Sequence, residues 1–148
     1  MFLISGPCVI ESLDTALRVA DHLAGLRERL PLSEVIYKSS FQKDNRSSVD
    51  YYMGPGLDEG LAILAEVKRQ YGFRLLTDIH YPDQAKPVAQ VVDILQIPAY
   101  LCMQTTLVVE AARTGRTINL KHGQMVAPST MTKVCAKVES TGNRDIIL

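Results

Sequence analysis

No apolar run in the 148-residue sequence exceeds a few residues, far short of the roughly 20 needed to span a bilayer, so no transmembrane helix is expected. The opening MFLIS lacks both the basic n-region and the long h-region of a signal peptide. Charge of one sign is also missing: 16 basic residues balance 16 acidic ones, which argues against a nucleic-acid or membrane-surface footprint. Cysteine is scarce. Cys8, Cys102 and Cys135 form no CxxC pair and one must stay unpaired, which reads as a reducing, cytoplasmic setting. Without a secretion signal, the sequon Asn45-Arg46-Ser47 is a chance match. Low-complexity tracts and linkers are absent as well. What is present is an ordinary globular balance, 47% apolar and 22% charged, in a length that suits one core and a single domain over residues 1–148.

Periodicity gives a regular alternation. FLIS (2–5) reads as a strand ended by Gly6-Pro7. From Ser12, a plausible N-cap, the apolar residues Leu13, Ala16, Leu17, Ala20, Leu23 and Ala24 recur at helical spacing. VIYKSS (35–40), FRLLTDIH (73–80), VVDILQI (91–97), TINLK (117–121) and DIIL (145–148) read as further strands. Helices are expected over 57–71, from Pro82 to about 90, over 105–113 and over 129–140. Strands alternating with helices of this length imply right-handed crossovers and an α/β fold with a parallel sheet. Six strands fit an open doubly wound sheet or most of a (β/α)8 barrel.

Both architectures place their sites at the C-terminal ends of the strands. In a strand, residues two apart share a face, which pairs Lys38 with Ser40, Asp78 with His80 and Asn119 with Lys121. Gln96 occupies the same end of strand four, and Cys8 lies just past strand one. Any one of these could be polar merely because a strand end meets solvent; five in register favour a site. The loop FQKDNRSSVD (41–50) adds Lys43 and Arg46, and with Lys38 and Lys121 these cations suit a phosphorylated, anionic substrate. Cys8 and His80 are soft-metal donors, but spacing alone gives no complete ligand set. His22, His122, Cys102 and Cys135 read as structural.

SGPCVIES, YKSSFQKDNRSS, GPGLDEGL, LLTDIH, DILQIPAYLC, a Gln-Thr pair and KHGQ follow one another in that order. Together they resemble the 3-deoxy-D-manno-octulosonate 8-phosphate synthase family, and KDNRSS is the most specific piece. The related heptulosonate 7-phosphate synthases carry a different loop there. The resemblance implies a parallel (β/α) barrel of the TIM type, truncated here after about strand six. It also implies a condensation of phosphoenolpyruvate with arabinose 5-phosphate in lipopolysaccharide precursor synthesis. By motif, Lys38, Ser40, Lys43, Lys121 and Gln124 would line the phosphoenolpyruvate side. Asn45, Arg46 and Ser47 would hold arabinose 5-phosphate, and Asp78, His80 and Gln96 would complete the lining. Lys43, Asp78 and Lys121 are the catalytic candidates. Cysteine at position 8 implies a metal-dependent member, binding manganese, iron, zinc or a similar divalent ion. The family forms homo-oligomers, tetramers by its usual pattern.

Departures accompany the likeness. Family members continue beyond strand six with an arginine for phosphoenolpyruvate and three more metal ligands (His, Glu, Asp). Met103-Gln104-Thr105-Thr106 stands where the family has Arg-Gln-Thr-Asp, and that arginine reaches the sugar phosphate of a neighbouring subunit. Losing such a bond costs about 1.5 to 3 kcal/mol, on the order of 10- to 100-fold in affinity. His122 replaces a second lysine, and Asp44 adds an anion beside the phosphate grip. A non-catalytic sugar-phosphate-binding or assembly partner is therefore the alternative to an enzyme active by itself.

Overall fold

A computed structural model describes all of residues 1–148, in two compact units, Met1–Thr77 and Asp78–Leu148. In the first unit β1 (Phe2–Ser5), β2 (Glu34–Lys38) and β3 (Arg74–Asp78, its last residue opening the second unit) are linked by helices α1 (Leu13–Arg29) and α2 (Leu57–Tyr71). The strands are parallel neighbours, with Phe2 opposite Glu34 and Lys38 opposite Leu76. Ser12 starts α1 as expected, its hydroxyl accepting from Thr15 N at 3.1 Å. Of the stripe expected on α1, Ala16, Ala20 and Leu23 are buried, while Leu13 at the helix start is exposed.

The first core is aromatic at its centre. Tyr37, Phe41 and Phe73 are fully buried, and Tyr37 and Tyr71 both stack near Phe73 at centroid distances of 6.3 and 6.1 Å. The Arg27 guanidinium lies 4.9 Å from the Phe73 ring centroid. Tyr37 keeps its polar end satisfied by donating to Ala16 O at 3.2 Å. Burial pushes its phenol well above the ordinary value of 10.0. On α2, Gly60 packs where a Cβ would come 2.3 Å from Phe41 Cβ. That close approach seats the start of the loop between β2 and α2 on the helix.

The second unit holds α3 (Ala85–Ala89), β4 (Ile94–Ile97), α4 (Thr105–Ala112), β5 (Thr117–Leu120), α5 (Met131–Glu139) and β6 (Ile146–Ile147). These strands are parallel and adjacent in sequence order, Gln96 opposite Asn119 and Ile118 opposite Ile146. Just past β3, Ile79 N donates to Gln96 O at 3.1 Å, so the chain leaving β3 runs beside β4. Within each unit no reversal of strand order interrupts the series, unlike the switch point of a doubly wound sheet. The fold is α/β, the parallel (β/α) type of the TIM barrel over its first six strands.

Several elements are shorter than their sequence patterns predict. The expected helix from Pro82 is a 3₁₀ turn, Pro82–Gln84, followed by the five-residue α3. Pro87 is tolerated in α3 because amides of a first helical turn have no intrahelical partner to lose. Val91 and Val92 donate back to Val88 O, finishing that helix rather than starting β4. Pro98 leads into a further 3₁₀ turn, Ala99–Leu101, that the periodicity does not reveal. No helix is long and apolar enough to cross a membrane.

Two outcomes test this packing. Tyr37→Phe should cost about 0.5–1.5 kcal/mol at neutral pH, the net worth of one hydrogen bond, in urea titrations. The raised phenol pKa means that the folded state holds this proton more tightly than the unfolded chain. Its stabilisation is complete below pH 10 and drains as pH rises beyond it. Melts at pH 8 and 11 should therefore converge between wild type and Tyr37→Phe at the higher pH. Gly60→Ala gains about 1 kcal/mol of helix propensity but overpacks against Phe41, so thermal melts should show a net loss of roughly 1–2 kcal/mol.

Candidate functional site

Past the end of β1 the chain turns through Gly6 and Pro7 and delivers Cys8 to the surface. A Cβ at Gly6 would lie 2.0 Å from the Lys38 carbonyl oxygen, so this crossing over the end of β2 requires glycine. Backbone bonding continues beyond both strands. Ser40 N donates to Cys8 O at 3.2 Å and Ile10 N to Ser40 O at 3.0 Å, pairing Val9 with Ser40 in a parallel bridge. Ser39, which the sequence reading passed over, donates its hydroxyl to Pro7 O at 2.6 Å. Ser39 and Ser40 are fully buried, and Lys38 is half-buried as the last residue of β2. Regular β2 stops at Lys38, and Ser40 carries the parallel pairing on through its bridge with Val9.

The polar loop is a closed structure. Gly56 N donates to Phe41 O at 3.1 Å and Lys43 N to Met53 O at 2.6 Å, stitching its two limbs together. Arg46 Nε donates to Tyr52 O at 3.1 Å, which fixes the plane of the guanidinium. Tyr52 in turn donates its hydroxyl to Ile10 O at 3.1 Å, tying the loop to the segment after Cys8. Nothing in the sequence pattern signals that tie, which spans 42 residues. Asn45, Arg46 and Ser47 are exposed together at the tip, and Lys43 is half-buried below them. The carboxylate of Asp44 accepts from Gln42 Nε2 at 3.3 Å.

In the second unit, Asp78 and His80 are brought together in a buried pair. His80 Nε2 lies 3.4 Å from Asp78 Oδ2, and each side chain is 5% exposed. The other ring nitrogen, Nδ1, is buried with no hydrogen-bond partner in the protein. The backbone here is held by Gln84, whose Oε1 accepts from His80 N at 2.8 Å and Tyr81 N at 3.2 Å. Gln96 is half-buried opposite the buried Asn119 in the β4–β5 register. Lys121 N donates to Ile97 O at 3.2 Å, carrying the β4–β5 pairing one residue past the end of β5. Its side chain is exposed, as is that of Gln124.

The departures from the family pattern have local explanations. His122 turns its Nε2 to Val126 O at 2.6 Å, which shapes the segment after β5. Met103 is exposed, and its carbonyl accepts from Lys137 Nζ at 2.8 Å; Thr106 is exposed in the first turn of α4. Of the metal donors expected, Cys8 offers an exposed thiol, but no three His, Cys, Asp or Glu residues in this stretch cluster to hold an ion. The donor set within residues 1–148 therefore does not by itself fit a metal centre.

Comparison with known proteins places this geometry. The chain is 51% identical over all 148 residues to a 2-dehydro-3-deoxyphosphooctonate aldolase of Trichlorobacter lovleyi, covering 54% of that protein. It is 52% identical over 148 residues to the protein of the same name in Methylococcus capsulatus, covering 52% of it. With the one of Brucella canis it shares 47% over 145 residues, 98% of this chain and 52% of the relative. The chain thus spans about half the length of the curated relatives it matches. The family model described as the DAHP synthetase I family matches residues 1–148, and the chain belongs to that family.

Proposed function

We propose that the protein forms a carbon–carbon bond between phosphoenolpyruvate and arabinose 5-phosphate, giving 3-deoxy-D-manno-octulosonate 8-phosphate and inorganic phosphate. The reading is carried by about 50% identity, across every element described above, to proteins named for the phosphooctonate product. In this reaction C3 of phosphoenolpyruvate attacks the aldehyde carbon of the sugar, water adds at C2, and the C2–O bond to phosphate breaks. Lys38, Ser40, Lys43, Lys121 and Gln124 serve the phosphoenolpyruvate side. Lys43 and Lys121 supply positive charge to its carboxylate and phosphate. Asn45, Arg46 and Ser47 hold the sugar phosphate, with the guanidinium orientation set by Tyr52 O favouring a bidentate grip. Asp78, His80 and Gln96 complete the lining, with the Asp78 carboxylate lying beside the imidazole.

Cys8 is the residue of this stretch that a divalent metal would use, as thiolate, with its other ligands drawn from elsewhere in the assembled protein. Such an ion would polarise a carbonyl or water. A cytoplasmic homo-oligomer, a tetramer by the family's pattern, completes the reading. A second reading rests on Met103, which carries no cation where the family has arginine: a protein that binds the sugar phosphate without turnover. The sister heptulosonate reaction differs by one carbon in the acceptor, a four-carbon aldose phosphate.

Full-length protein given phosphoenolpyruvate, manganese and arabinose 5-phosphate should release phosphate, and faster than with a four-carbon aldose phosphate. No release at high enzyme concentration would sink the catalytic reading, and calorimetry with arabinose 5-phosphate then decides the binding one. Arg46→Ala should weaken binding of arabinose 5-phosphate by about 10- to 100-fold, the loss expected for a charge-assisted bond to phosphate. An unchanged KM or binding heat would remove Arg46 from that role.

A further inference from the structure

We propose that Gln84 is a positioning residue for His80, its side-chain oxygen standing in for a neighbouring strand where the chain has left β3. The inference rests on the functional reading above for its consequence in turnover, but not for the clamp itself.

Regular strand structure ends at Asp78, and Ile79 N makes the last bond to β4, through Gln96 O. His80 is the next residue. Its amide and that of Tyr81 both converge on one atom, Gln84 Oε1. A carbonyl oxygen has two lone pairs, so a single glutamine can satisfy both donors. Pro82 makes this possible. Its fixed φ starts the 3₁₀ turn Pro82–Gln84, and Gln84 N closes the turn on Tyr81 O at 3.1 Å. The return brings Gln84 back beneath the residue it holds, 8% exposed.

The imidazole has little else to fix it. Nε2 has Asp78 Oδ2 at 3.4 Å, longer than a typical N–H···O bond, and Nδ1 has no protein partner. A buried ring with one nitrogen left open is poised for a bound molecule, and its aim depends on the backbone from which it springs. Gln84 sets that backbone. It touches neither ring nitrogen, so its effect passes through the orientation of His80.

The experiment compares Gln84→Met, which keeps length and removes the acceptor, Gln84→Asn, which keeps the carbonyl but cannot reach, and Gln84→Glu, which restores an oxygen at the same reach. Hydrogen exchange by mass spectrometry on full-length protein reads the peptide over residues 79–84, with the β4 peptide as the measure of global folding. In Met and Asn variants, the two amides should exchange about tenfold faster while β4 is unchanged, and phosphate release should fall about tenfold. The Glu variant should return both to within about twofold of wild type. Unchanged protection in the Met and Asn variants, undiminished turnover despite lost protection, or a Glu variant as impaired as Met would each overturn the proposal. If Met does not fold, Asn alone carries the comparison. A wild-type protein that never releases phosphate sinks the proposed reaction and leaves the clamp decided by exchange.

Discussion

The polar segments that follow the strands are held in place by hydrogen bonds that continue after the strands have ended. A parallel ladder satisfies backbone donors only while two strands run together. Beyond that point each N–H must find another acceptor or remain unpaired at considerable cost. In the first unit Ser39 N reaches Leu76 O, Ser40 N reaches Cys8 O and Lys43 N reaches Met53 O. In the second, Ile79 N reaches Gln96 O, Lys121 N reaches Ile97 O, and the amides of His80 and Tyr81 fall to Gln84. Among the residues so fixed are Ser40, Lys43, His80 and Lys121, whose side chains the proposed reaction uses. Short strands of four or five residues suffice because the loops themselves prolong the pairing.

This arrangement constrains the backbone more than the side chains. Gly6 is needed because the Lys38 carbonyl occupies the space of its Cβ, and Gly60 because Phe41 occupies the space of its own. In both places a small residue lets one segment ride directly on another. The long loop after β2 is consequently anchored at three points: Phe41 against α2, its two limbs through Lys43 and Met53, and its tip through Tyr52 to Ile10. An exposed cluster such as Asn45, Arg46 and Ser47 would otherwise lose considerable side-chain and backbone entropy on gripping a ligand. The loop's own hydrogen bonds already supply part of that ordering, which would favour the binding proposed above.

The alternation of strands and helices was legible because it rests on local patterns: the stripe on α1, the β-branched run of β2, and glycine and proline at the boundaries. The bounds of α2, Leu57–Tyr71, follow from its stripe and its flanking glycines. What could not be read were events decided by distant partners. That Ser40 would be held by Val9, more than thirty positions away in the chain, has no local signal. Val91 and Val92 have strand chemistry and yet close a helix, since Val88 O is the acceptor within reach. Gln84 carried a local signal, two positions after a proline, but glutamine is too common for that spacing to announce a clamp. Ser39 and Tyr52 carried none.

The departures from the family pattern divide by the same physics. Asp44 looked harmful as an anion beside a phosphate grip, yet its carboxylate lies against Gln42 Nε2, which draws its hydrogen-bonding capacity back along the loop. His122, where a lysine is usual, is engaged with Val126 O and contributes to the shape of its turn. Met103 differs in kind. Its backbone is used, by Lys137, but its side chain brings no charge to a position that otherwise carries a guanidinium.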